Sequence, residues 1–147
     1  MRLLDLFCGA GGAASAASPN LAFTKGDKPG EYRFDTGVVR GTVPLNKRSL
    51  GLLPAVHTPT GTRLAASMGL FNYYRVFKTS HRFVESMRAI RSKARLLPDG
   101  ALEVHWPPAE NRPFDLTAVY RWTAENILDL ETTVVAKAEL PDFEVFL

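Results

Sequence analysis

The residues best suited to chemistry cluster between positions 73 and 82. Tyr73, Tyr74, Arg75, His81 and Arg82 put aromatic faces and planar polar groups within a short stretch. Rings of that kind stack on the apolar side of a pyranose, and planar donors bind its hydroxyls. Two further sites offer the same mixture. His57 sits in a Pro-rich segment, and His105-Trp106 precede Pro107-Pro108, where a loop should begin. Tyr73 and Tyr74 are adjacent, so a regular strand cannot turn both toward the core. One of the two is expected at a rim.

The histidines titrate near neutrality and are candidates for acid–base work. His81 with Glu85, and His105 with Glu103, pair a histidine with a carboxylate; the second pair shares one strand face by period two. An exposed polar stripe explains Glu103 and His105 equally well. The three histidines match no standard metal-ligand spacing, so no metal is expected. The single cysteine, Cys8, allows neither an internal disulfide nor a cysteine metal site.

The elements that must hold these residues read as β. The chain has 147 residues, 46% hydrophobic and 22% charged, which suits a globular domain rather than disorder. Residues 114–122 alternate: Phe114, Leu116, Ala118, Tyr120 and Trp122 against Asp115, Thr117, Val119 and Arg121. Residues 128–137 do the same after a turn at Ala124-Glu125-Asn126, which predicts an antiparallel pair. Pro98-Asp99-Gly100 predicts a hairpin turn ahead of a strand from Ala101 to Trp106. Strand character also marks 32–43, an irregular or edge segment at 52–62, and the aromatic run 70–79. Phe83, Met87 and Ile90 fall at helical spacing, so 83–93 fits a helix or an ordered loop. The apolar alternating end, Phe143 to Leu147, fits a strand tucked into the sheet or, on the reading favoured here, a domain cut short.

The formal net charge is +3, and the cations are spread out apart from Arg82, Arg88, Arg91, Lys93 and Arg95. That patch reads as a solvated face, which argues against nucleic acid as a partner. No apolar run approaches the ~18 residues that span a bilayer. The start, Met1-Arg2 then Leu3 to Phe7, loosely imitates a secretory signal, but Asp5 and the glycines interrupt it. No compartment is thereby assigned, and oligomeric state is equally open.

Residues 1–20 differ in character from 21–147. Leu4-Asp5-Leu6-Phe7-Cys8-Gly9-Ala10-Gly11-Gly12 resembles the first motif of DNA cytosine-5 methyltransferases, a strand and glycine loop that hold S-adenosylmethionine. The resemblance implies that Phe7, Gly9, Gly11 and Gly12 line a cofactor pocket. The family's Pro-Cys nucleophile loop is absent here, and no strand–helix alternation follows to build a parallel sheet. The segment is therefore expected to belong to a fragment, inactive alone, or to a chimeric reading frame, with coincidence of a short motif the remaining alternative.

Residues 30–147 resemble, in strand pattern and in Tyr120-Arg121-Trp122 and Leu128-Asp129-Leu130-Glu131, the galactose-mutarotase-like sandwiches of sugar-active proteins. That implies a mainly β fold, an antiparallel β-sandwich that is incomplete. It also implies a carbohydrate-binding or carbohydrate-processing module needing no cofactor. Two other readings stand beside it: the methyltransferase fragment, and a structural or interaction β domain.

Overall fold

The structure, a computed structural model, describes residues 20–45, 49–65, 67–79, 81–83 and 87–147. The glycine-rich opening, with Phe7, Gly9, Gly11 and Gly12, lies outside them. What is described is mainly β and entirely antiparallel in its strand pairing.

The first sheet is a meander in which chain order equals spatial order. It runs β1 (Thr24–Lys25), β2 (Glu31–Asp35), β3 (Val39–Pro44), β4 (Ala55–His57) and β5 (Thr62–Arg63). Gly37, at φ +90°, sits in the turn between β2 and β3. Thr36 closes that turn by bonding Val39 through both its backbone and its hydroxyl. Gly41 lies mid-strand for a different reason: a Cβ there would sit 1.9 Å from the Pro54 carbonyl oxygen.

The second sheet has order β11-β10-β9-β8, from β8 (Lys93–Leu96), β9 (Leu102–Trp106), β10 (Phe114–Ala124) and β11 (Ile127–Ala136). The Pro-Asp-Gly turn forms as its chemistry requires. Gly100 takes φ +84°, its N–H donates to the Leu97 carbonyl, and Asp99 accepts from the Ala101 N–H. Along β10, Phe114, Leu116, Ala118, Tyr120 and Trp122 are buried while the intervening residues are half-buried. Full burial of one such apolar side chain is worth about 1.5–3 kcal/mol.

These two sheets face each other as a sandwich. Phe34 of β2 lies 5.1 Å from Trp122 of β10, centre to centre, and Phe23 meets Phe34 edge-on at 5.6 Å. Polar ties join the same layers. The Thr36 hydroxyl donates to the Glu125 carbonyl at 2.6 Å, and the Tyr32 hydroxyl to the Ala94 carbonyl at 3.2 Å.

A third, three-stranded sheet covers one end, in the order β12-β6-β7. Its strands are β6 (Arg75–Lys78), β7 (His81–Phe83) and β12 (Glu144–Phe146). Phe83 meets Phe114 at 5.3 Å, and Phe143 meets Phe114 at 5.1 Å, which anchors this sheet to the core. Among the described residues between β7 and β8, Met87–Ala89 form a 3-10 turn and no α-helix is present, which fits the ordered-loop alternative for 83–93. Phe83, Met87 and Ile90 all turn inward, as their spacing suggested. A strand end and a tight turn achieve this, without a helix face.

Candidate functional site

The alternation of β6 builds the site. Val76 is fully buried, opposite Val145 of β12 and Phe83 of β7. Its neighbours Arg75 and Phe77 therefore project from the other face. On that face Phe146 stands opposite Arg75, and Glu144 and Arg82 stand opposite Phe77. Phe77 and Phe146 meet edge to face, with ring centres 5.5 Å apart and planes at 81°. Phe146 is 49% exposed, which is high for a phenylalanine.

A cleft of about 320 Å³ opens beside these rings, lined by Phe77, Lys78, Thr79, Asp142, Glu144 and Phe146. A second, of about 540 Å³, shares Lys78 and Thr79 and reaches Phe83, Glu110 and Asn111. Thr79 fixes the wall between them. Its N–H donates to the Pro141 carbonyl at 3.1 Å, and its hydroxyl donates to the Asp142 carboxylate. Asp142 takes φ +50°, a turn conformation that aspartate tolerates better than most residues.

Just before β6, the Tyr74 N–H extends the ladder by donating to the Phe146 carbonyl at 2.9 Å. The Arg75 guanidinium lies 4.6 Å from the Tyr74 ring centre and donates to its hydroxyl at 3.1 Å. Arg88 approaches the same ring at 5.4 Å. Of the residues singled out in the sequence, Arg75 and Arg82 thus share this face by register, and Tyr74, just before β6, meets Arg75 through its ring and hydroxyl. The backbone of His81 pairs with Lys78 in β7, and its side chain is outside the described atoms.

The others lie elsewhere. Tyr73 is buried, with its ring 5.2 Å from Trp106 and its hydroxyl bonded to Thr132. Desolvation pushes its phenol up to about 12, partly offset by that hydrogen bond. Trp106 ends β9, as expected, but it has no exposed surface and points inward, away from any ligand at the following loop. His57 lies in the β4–β5 hairpin, its Nδ1 2.7 Å from the Thr60 hydroxyl.

His105 and Glu103 do share the solvent face of β9, but each has its own partner. The His105 Nε2 lies 2.9 Å from Asp115, whose second oxygen receives Lys137 Nζ at 2.9 Å. Hydrogen bonds from His105 first and Lys137 second hold the Asp115 carboxyl below the usual aspartate range. The Arg95 guanidinium grips Glu103 with two bonds, at 2.6 and 2.9 Å, and lowers it likewise. This arrangement ties neighbouring strands together on an open sheet face.

Sequence reasoning named neither Asp142, Glu144 nor Phe146 as a site residue, counted Arg88 only in the cationic patch, and treated Phe77 only as part of an aromatic strand. The alternation of Phe143 to Phe146 was visible, but nothing local indicated that it pairs with residues 75–77. Among the described residues no group of three or more His, Cys, Asp or Glu side chains could hold a metal ion, and no helix is long and apolar enough to cross a membrane. No protein-family model matches this chain, and neither a curated protein nor a solved structure matches it.

Proposed function

We propose that this chain is a carbohydrate-binding or carbohydrate-processing β-sandwich module, and that sugar binds on the solvent face of β12-β6-β7. One observation carries the reading: the edge-to-face pair Phe77–Phe146 lies at the surface beside a cleft with Asp142 and Glu144 in its wall. An aromatic platform offers the apolar face of a pyranose its counterpart. Carboxylates and guanidiniums at its margin accept from and donate to the ring hydroxyls. No catalytic residue is assigned, because the clefts carry no histidine–carboxylate pair among the described residues.

The test is retardation of the protein in native gels containing neutral polysaccharides, followed by calorimetry with matching oligosaccharides. Phe146→Ala and Phe77→Ala are each expected to weaken binding by roughly tenfold, the scale of one aromatic contact. Folding of both variants is checked by circular dichroism. Unaltered binding by both folded variants, or no retention by any polysaccharide, rejects the reading.

A second reading rests on Leu4 to Gly12 alone and makes the chain a fragment of an S-adenosylmethionine-dependent methyltransferase. It needs parallel strands and crossover helices behind the glycine turn. The strands described from residue 20 onward are antiparallel. Calorimetry with S-adenosylmethionine decides it, since absence of heat removes the cofactor.

A further inference from the structure

The two ends of the Phe77–Phe146 platform differ in charge. At the Thr79 end the cleft wall carries Asp142 and Glu144, with Asp142 already engaged by the Thr79 hydroxyl. At the Tyr74 end, two guanidiniums lie within 5.4 Å of one ring centre. No ion pair among the described residues includes either Arg75 or Arg88. The Nε of Arg75 is buried with no hydrogen-bond partner among those residues.

Two like charges held on one half-buried phenol repel each other, and a buried guanidinium N–H without an acceptor is destabilising. An anion held between the exposed parts of the two guanidiniums relieves the repulsion. A guanidinium fork matches a planar carboxylate or a sulfate with parallel hydrogen bonds, which a neutral hydroxyl cannot supply. The ring beneath keeps the forks oriented. From this asymmetry we infer that Tyr74, Arg75 and Arg88 form an anion subsite at one end of the platform, and that the ligand is an acidic sugar. Its acid group sits at the two arginines, and its pyranose face rests on Phe77 and Phe146. This inference rests on the sugar-binding reading and narrows it to acidic saccharides.

The test is calorimetry on the full chain with three probes in low salt: trigalacturonate, a neutral galactotriose and inorganic sulfate. The acidic trisaccharide is expected to bind at least tenfold more tightly than the neutral one. Arg88→Gln is expected to abolish that preference, lowering affinity for the acidic sugar about tenfold and for the neutral sugar by much less. Arg75→Gln serves as the second variant should Arg88→Gln fail to fold. Sulfate is expected to compete with the acidic sugar only. Equal affinity for both trisaccharides, or a preference that survives both substitutions, overturns the subsite and leaves sugar binding standing. If neither sugar binds, both proposals fall, even where sulfate alone does bind.

Discussion

Tyr73 shows how the same residue type serves different ends one position apart. Tyr74 is half-buried beside two guanidiniums, while Tyr73 packs on Trp106 and bonds Thr132 of the edge strand β11. Burial makes Tyr73 a reporter of alkaline stability. Its folded value of about 12 lies above the ordinary value of 10.0. A raised value in the folded state means that the neutral phenol is favoured there. The associated stability is complete below the unfolded value and is lost as pH rises from there through about 12. A shift of that size corresponds to about 2–3 kcal/mol. Tyr120, also buried, shifts in the same direction through desolvation and then the nearby Tyr73. Tyr73→Phe should therefore lower stability at neutral pH by about 1 kcal/mol, through the lost hydrogen bond to Thr132. It should also flatten the alkaline decline in urea midpoints. Tyrosinate absorbance provides the independent check. If all the tyrosines of the folded protein titrate together near the ordinary value, the burial argument is wrong.

At the scale of elements, what could be read from the chain was what is local. The β8–β9 turn and the β10–β11 pair follow from Pro98-Asp99-Gly100 and from strict alternation between Phe114 and Ala136, and both stand as expected. The run 70–79 did not form one strand. Phe71 adopts φ +57°, and Asn72 and Tyr73 are buried in succession, so period two is broken until Arg75. Its aromatics indicated burial without indicating geometry. The same limit applied to the candidate site: Tyr74, Arg75 and Arg82 were named by residue type, but β12, which pairs along Tyr74 and β6, is far away in sequence. Glycines mark where elements crowd. Gly41→Ala would drive a methyl group toward the Pro54 carbonyl, which is itself held by the Thr42 N–H at 3.1 Å. Since the obstacle is backbone, the expected loss is about 3 kcal/mol, near the upper end for overpacking. Gly61→Ala is the control. Its φ of +68° carries strain of about 1–2 kcal/mol, and nothing lies within 4 Å of the added atom. Equilibrium unfolding in urea should separate the two, with Gly41→Ala the worse. The reverse order would mean that β3 and β4 can spread apart easily.

At the scale of the whole molecule, the last strand joins what chain order keeps apart. The five-stranded and four-stranded sheets are meanders whose pairings are between neighbours in sequence. The pairing of β12 with β6 is the distant one, with Val145 opposite Val76 and Glu144 opposite Phe77. The same segment sends Phe143 into the core against Phe114 and supplies Phe146 to the surface platform. Fold and proposed site thus depend on one short segment through different side chains. Phe143→Ala removes an internal contact and should destabilise by about 2–3 kcal/mol, less than a fully buried phenylalanine because the ring is half-buried. Phe146→Ala removes a ring that is 49% exposed and should change stability by under about 1 kcal/mol. Deleting residues 143–147 combines both losses and leaves the β6 edge without its partner strand, so its effect should exceed that of Phe143→Ala. Thermal unfolding of the three variants, alongside sugar affinity, makes the separation measurable: Phe143→Ala lowers the midpoint with affinity retained at temperatures where it is folded, whereas Phe146→Ala lowers affinity with the midpoint retained. If both substitutions moved stability and affinity in step, the segment would act as a single structural clamp, and the platform would have no independent role.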